Sequence, residues 1–385
     1  MVTSDLETAA VPELPARQPA VARGDGLLRD RQIGNLGLES GLELPGVRIT
    51  YESWGRLNPD ASNAVLIQHA LTGSTHVARG DSDEAGWWDG LVGPGQAIDT
   101  ERYFVVAANL LGGCYGSTGP SSIAPDGAPW GSRFPFVTLR DSVRAEARLA
   151  DELGIGRWHA VVGGSMGGAR ALEWAVSYPE RVRHAVVLAS CAASTAEQIA
   201  LAQAQVLAIE QDPDFRGGDY YDGPIPAAGL GLARRIAHIS YRSEAELGQR
   251  FGRSAQPGEA PVSSRRGLGR GAQRYQVEGY LDHQAAKLVQ RFDANSYIVL
   301  TEALMSHDVR RGRGDLRSAL ARAAGVGFTV AAVSSDRLYL PAQSEELAAA
   351  LPEPTPVRRI ASDVGHDAFL LEIAQISALL GEVFT

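Results

Sequence analysis

The sequence predicts an α/β fold: a mostly parallel sheet flanked by helices, interrupted by a helical insertion. Three observations carry this. Short, continuous apolar runs alternate with amphipathic stretches from residue 64 to 190; the pattern then turns almost wholly helical to about residue 310; and the alternation resumes near Phe328. Continuous apolar strands suit a parallel sheet covered on both faces, and strand–helix alternation is the pattern of a doubly wound sheet.

The elements follow in order. Residues 1 to about 30 are rich in Ala, Pro, Glu and Arg without a period, and read as a mobile tail. Val47–Trp54 alternates as a strand does. The runs at 64–68 (AVLIQ), 103–108 (YFVVAA), 158–162 (WHAVV), 184–189 (HAVVLA), 328–333 (FTVAAV) and 357–360 read as further strands. Helices are expected at 139–153, ending at Gly154, and at 168–177, stopping before Pro179. The insertion contributes helical stretches at 196–210, 227–239, 244–251, 273–292 and 296–304. Arg253–Gly271, rich in Gly, Ser, Pro and Arg, reads as a loose loop. The chain thus divides into a tail (1–31), one α/β domain (32–190 and 311–385) and a helical lid insertion (191–310).

Composition narrows the function classes. Of 385 residues, 44% are hydrophobic and 21% charged, enough for a sizeable core. The formal net charge of −9 argues against a nucleic-acid partner. Lys287 is the single lysine, so Schiff-base chemistry has one position open to it. The two cysteines, Cys114 and Cys191, build no disulfide framework and fit a reducing compartment. No run reaches the ~18 apolar residues of a membrane span. The N-terminus lacks a basic region followed by an apolar one, so no signal peptide is expected. A soluble cytoplasmic protein is the expectation. The spacings of a metal site are missing as well. Gly93-Pro94-Gly95 and Leu111-Gly112-Gly113 match no nucleotide fingerprint and read as turns.

Gly163-Gly164-Ser165-Met166-Gly167 follows an apolar strand and opens a helix. That is G-x-S-x-G in the context of a nucleophile elbow, which identifies an α/β-hydrolase fold with Ser165 as nucleophile. The helix N-terminus then faces developing negative charge. The bland alternative is a glycine-rich turn that packs or binds phosphate. Serine needs a base, and in this architecture the partners follow in the order Ser, Asp, His. Asp336 closes the strand FTVAAV and can fix an imidazole tautomer. His366, in a Gly-His turn after the last strand, is the general base and later the acid. Alone, such an Asp is more often a cap and such a His inert. The rival bases are His307, which could line the site from the insertion, and His69. The oxyanion hole needs two N–H donors. Met166 supplies one, and Leu71, in the loop after AVLIQ, the other.

Beyond these motifs, the chain resembles the homoserine O-acyltransferases of the α/β-hydrolase superfamily. The likeness runs from about residue 32 to the end. It rests on HALTGSTH (69–76), GWWDGLVGPGQAIDT (86–100), NLLGGCYGSTGPSS (109–122), WGSRFP (130–135), VVGGSMGGARALEWAVSYPERV (161–182), RFDANSY (291–297), SDRLY (335–339) and GHDAFL (365–370). The resemblance implies the triad Ser165, Asp336 and His366, with Arg234 holding a homoserine carboxylate and Asp367 meeting its amine. Arginine's planar fork suits a carboxylate; Arg235 next to it is the alternative, and a solvated helix arginine the bland reading. Tyr241, seven residues after Arg234, falls on the same helical face. Ala169, Arg170, Ala285 and Met305 depart from common family choices and are expected to shape the pocket.

The resemblance further implies double-displacement acyl transfer from acetyl-CoA to L-homoserine, in methionine synthesis, with acetyl-CoA as co-substrate, no bound cofactor and a homodimer. The rivals are succinyl-CoA as donor, serine or a deacetylated antibiotic as acceptor, a plain esterase, and a non-catalytic binding module.

Overall fold

A parallel strand buried on both faces needs helices above and below it, and the chain supplies them in turn. The computed structural model describes residues 23–260 and 274–384. Its strands are β1 (Arg23–Asp25), β2 (Arg29–Gly37), β3 (Glu43–Arg56), β4 (Ala64–Gln68), β5 (Val92–Gly93), β6 (Ile98–Asp99), β7 (Phe104–Ala108), β8 (Ala160–Gly164), β9 (His184–Leu188), β10 (Gly327–Val333) and β11 (Arg358–Ile360). The main sheet runs β1-β3-β7-β4-β8-β9-β10-β11, with β2 also paired to β3. From β7 to β11 it is parallel; β3 joins β7 antiparallel. β5 and β6 form a separate two-stranded ladder.

Helices α1 (Leu139–Glu152) and α2 (Met166–Ser177) flank the sheet before β9. Between β9 and β10 the chain builds α3 (Ala196–Glu210), α4 (Ala227–Tyr241), α5 (Glu244–Phe251), α6 (Gln276–Val289), α7 (Ala294–Met305) and α8 (Leu316–Ala321). α9 (Pro341–Ala350), α10 (Ala368–Leu371) and α11 (Ile373–Gly381) complete the fold. No helix among the described residues is long and apolar enough to cross a membrane.

Local chemistry sets the helix starts. Thr138 and Thr195 make capping boxes at α1 and α3, while Asp293 caps α7 through Ser296 N. Asp293 also accepts from Tyr220 Oη at 2.6 Å and Tyr221 Oη at 3.1 Å, which explains the aspartate of RFDANSY as a structural anchor.

The sequence-based expectations need two corrections here. The tail assigned to 1–31 ends too late: β1 and the start of β2 lie within it, and only 1–22 fall outside the described residues. β2 was missed because it is an edge strand with a polar outer face, two irregularities around Gly34 and only Ile33 and Leu36 buried. The second helix starts at Met166, two residues early, directly after the nucleophile. Of the loop expected at 253–271, residues 261–271 lie outside the described residues.

Apolar side chains fill both faces of the sheet. On one, Trp158 meets Trp174 of α2 edge-on, 6.3 Å between centroids. Within that layer sits a polar cluster. Arg170 is fully buried and pairs with Glu146 of α1. The second oxygen of Glu146 accepts from Gln68 Nε2 and Trp174 Nε1, each at 2.7 Å, and Arg170 Nη1 donates to His69 O at 3.3 Å. The cluster binds the end of β4 to α2. Buried charges stripped of their partner cost about 3–5 kcal/mol, whereas replacing the whole pair by apolar groups is often neutral. Glu146→Gln should therefore lower stability by about 3 kcal/mol or more in chemical denaturation. Glu146→Gln with Arg170→Met should recover most of that loss; equal losses in the single and double variants would contradict it.

Candidate active site

Ser165 lies between β8 and α2 with φ 57° and ψ −127°, an uncommon conformation for a residue with a Cβ. Such strain costs about 1–3 kcal/mol and persists only where packing enforces it. The packing is tight. A Cβ on Gly163 would lie 2.4 Å from Gly167 backbone, and one on Gly167 would lie 2.1 Å from Gln68 O. Glycine at both positions lets the turn press onto the end of β4. Ser165 N donates to Leu188 O at 2.9 Å, and its carbonyl accepts from Ser190 Oγ at 2.8 Å.

Three side chains from three separate segments converge there. His366 Nε2 is 2.8 Å from Ser165 Oγ, and His366 Nδ1 is 2.6 Å from Asp336 Oδ2. Asp336 Oδ1 accepts from Leu338 N at 2.9 Å and Tyr339 N at 2.8 Å, which fixes the carboxylate just past β10. The imidazole stacks on Tyr339, 5.0 Å between centroids and 23° between planes. All three are nearly closed to solvent. Burial pulls the His366 pKa down, but the charge and hydrogen bond of Asp336, with Asp367 beyond, outweigh it and leave it raised.

Of the two expected oxyanion donors, Met166 directly follows the serine and Leu71 lines the same cleft as Ser165. Met166 is the first residue of α2, so no carbonyl one turn earlier takes its N–H, and Leu71 N donates to no described group. Leu71 and Ser165 both line a cleft of about 900 Å3.

That cleft also separates the remaining candidates. Arg234, Tyr241 and Asp367 line it. Arg234 donates to Thr72 Oγ1 at 3.4 Å and lies 5.8 Å from the Tyr241 ring centroid; no described carboxylate pairs with it. Arg235 instead pairs with Asp282 at 2.7 Å and lies outside the cleft lining. Asp367 is held by Arg242 at 3.1 Å. Of the rival bases, His307 is buried against Cys191 O, outside the cleft lining. His69 lines the cleft, but its Nδ1 is 2.8 Å from Ala70 O. Burial and the nearby Arg170 charge lower its pKa to about 3, so it stays neutral. Ala169, Arg170, Ala285 and Met305, expected to shape the pocket, all lie outside its lining. Arg170 faces the sheet because Glu146 and the His69 carbonyl are there to receive it.

Sequence reasoning missed Arg242 and Tyr339. In an arginine-rich chain nothing marked Arg242; Tyr339 stood in the block SDRLY but carried no spacing signal.

A buried serine hydrogen-bonded to a histidine, itself oriented by a carboxylate, can form and discharge an acyl-serine. With the sheet order and the elbow, this defines an α/β-hydrolase-type serine enzyme, and residues 63–373 match the family model described as alpha/beta hydrolase fold. The chain is 58% identical over 353 residues to the homoserine O-acetyltransferase of Thermobifida fusca (strain YX), covering 90% of this chain and 91% of that one. In three dimensions it is similar to homoserine O-acetyltransferase from Bacillus anthracis, with TM-score 0.83, 28% identity, and 93% and 97% of the two chains covered. It is also similar to esterase E22, with TM-score 0.83 and 26% identity over 93% of this chain and 100% of that one. The chain belongs to the homoserine O-acetyltransferase family, a family of acyltransferases, within the α/β-hydrolase fold.

The raised pKa of His366 has a kinetic sign. The base must be neutral to take a proton, so acylation should fall as pH drops through a midpoint above the ordinary 6.5. Asp336→Asn removes the anion that raises it and should cost about 10⁴-fold in rate, moving the residual acid limb to lower pH. An unmoved limb in stopped-flow pH profiles would assign that midpoint to another group.

Proposed function

We propose that this enzyme transfers an acetyl group from acetyl-CoA to the hydroxyl of L-homoserine, giving O-acetyl-L-homoserine and CoA, an early step of methionine synthesis. The observation that carries the reading is one cleft lined by Ser165 and His366 of the Ser165–His366–Asp336 relay together with Arg234 and Asp367. A zwitterionic amino acid needs a cation for its carboxylate and an anion for its ammonium. Hydrolysis of a simple ester needs neither.

The reaction runs as two displacements. Ser165 Oγ attacks the thioester carbonyl carbon while its proton passes to His366 Nε2. The oxyanion takes hydrogen bonds from Leu71 N and Met166 N. The carbon–sulfur bond breaks, the thiolate takes the proton from His366, and acetyl-Ser165 remains. The homoserine hydroxyl then gives its proton to His366 and attacks the acyl carbon. As the bond to Ser165 breaks, Oγ recovers the proton. Asp336 stays ionised throughout and holds the imidazole. Tyr241 walls the acceptor side against the His366 ring, 5.9 Å between centroids. The helical insertion acts as a lid that keeps competing water low.

Acetyl-CoA is a co-substrate here, and the chemistry calls for no resident cofactor. We place the reaction in the cytoplasm, with neither membrane nor nucleic acid as partner. The working unit is a homodimer: Ile199 and Leu207 of α3 and Leu232 and Ile239 of α4 present apolar side chains to solvent.

The likeness to esterase E22 favours a second reading, hydrolysis with water as acceptor. One assay separates the two. Purified enzyme receives acetyl-CoA or succinyl-CoA with and without homoserine, and free thiol is followed. Homoserine-dependent release with acetyl-CoA is expected, abolished in Ser165→Ala. Release independent of homoserine would favour the esterase, and release with succinyl-CoA alone would change the donor. Arg234→Met should raise the KM for homoserine by about tenfold or more, the loss of one charge-assisted pair. An equal loss in hydrolysis of a simple acetyl ester would make Arg234 structural.

A further inference from the structure

The loop that carries the base is tied to the helical insertion. Just past α4, Arg242 pairs with Gly365 as an isolated antiparallel bridge, Ser243 N donates to Val364 O at 3.3 Å, and Ser243 Oγ donates to Asp363 O. Gly365 has φ 90°, and a Cβ there would stand 2.6 Å from both Tyr241 O and Ser243 N. Backbone from the insertion thus lies directly on the residue before His366. From this segment the Arg242 side chain reaches into the acceptor side of the cleft. Its Nη2 is 3.1 Å from Asp367 Oδ2 and its Nη1 is 3.5 Å from Glu246 Oε1, all three side chains being no more than 17% exposed.

We propose that Arg242 is a positioning residue for acceptor recognition: it fixes the Asp367 carboxylate to receive the substrate ammonium. This rests on the reading of Arg234 and Asp367 as a clamp for a zwitterion. A carboxylate accepts at about four lone-pair sites. Arg242 contacts Oδ2, which leaves Oδ1 for an ammonium. A carboxylate already held loses less freedom when the ligand arrives. Glu246 shares the guanidinium from its other side, so Arg242 orients Asp367 without taking up its whole charge. Because the same segment braces the turn before His366, the ammonium is placed relative to the base that deprotonates the hydroxyl.

The test is a double-mutant cycle on Arg242→Gln and Asp367→Asn, with Arg242→Lys as the conservative variant, read as KM and kcat for homoserine. Arg242→Gln should raise KM about tenfold while kcat falls by less than about threefold. Arg242→Lys, which keeps a cation within reach of Asp367, should recover part of the loss. In the Asp367→Asn background, Arg242→Gln should add less than about twofold, because its effect passes through Asp367. The backbone clamp does not involve the replaced side chain, and circular dichroism melts check that each variant is folded. Independent, multiplying effects would overturn the inference, as would a fall in kcat at unchanged KM. A wild-type enzyme that fails to transfer to homoserine would overturn the underlying reading, and this inference with it. Wild-type transfer with multiplying variants would overturn the inference alone.

Discussion

The structure hangs on the contact between the nucleophile turn and the end of β4. Gly163 and Gly167 allow the two backbones to meet at a distance no side chain would permit. That approach puts Ser165 in its strained conformation and leaves the first amide of α2 beside the loop after β4. The loop's position follows from the same contact, since Gln68 and His69 are held from below by Glu146 and Arg170. Strain in the serine, the position of the first α2 amide and a buried ion pair are therefore one arrangement, spread over β4, α1 and α2.

The rest of the cleft is built differently: Arg234 stands on α4, in the helical insertion, and Asp367 follows the last strand of the sheet. The likeness to both an acetyltransferase and an esterase at equal TM-score fits this division. A shared fold can carry the same relay while other residues of the site set the function.

Much of this was legible in the sequence because the central strands are buried on both faces, and such strands appear as unbroken apolar runs. The elbow was legible for the same reason: a strand, a G-x-S-x-G turn and a helix stand in register. Asp336 and His366 followed from their order and their places after strands. What escaped was whatever depends on partners far away in the chain. β2 is mostly polar and becomes a strand only because β3 offers a ladder and Ile33 and Leu36 a core to reach. Arg170 looked like a pocket residue by its nearness to Ser165, yet one helical position turns it toward Glu146. Arg234 and Arg235 are indistinguishable as letters; Asp282, 47 residues from Arg235, separates them. Arg242 gained its meaning from Gly365 and Asp367, more than a hundred residues later.

The clamp at Gly365 bears on how the insertion moves. A flap joined to a sheet only by its two chain ends can swing like a door. Here the segment is also anchored by backbone pairing next to His366, and the insertion is tied elsewhere too, by Gln198 Nε2 on Leu338 O and by Asp219 on Ser132. Such contacts limit how far this segment can swing away from the loop that carries His366. Changes in the length of the insertion are best absorbed away from the pairing at Gly365.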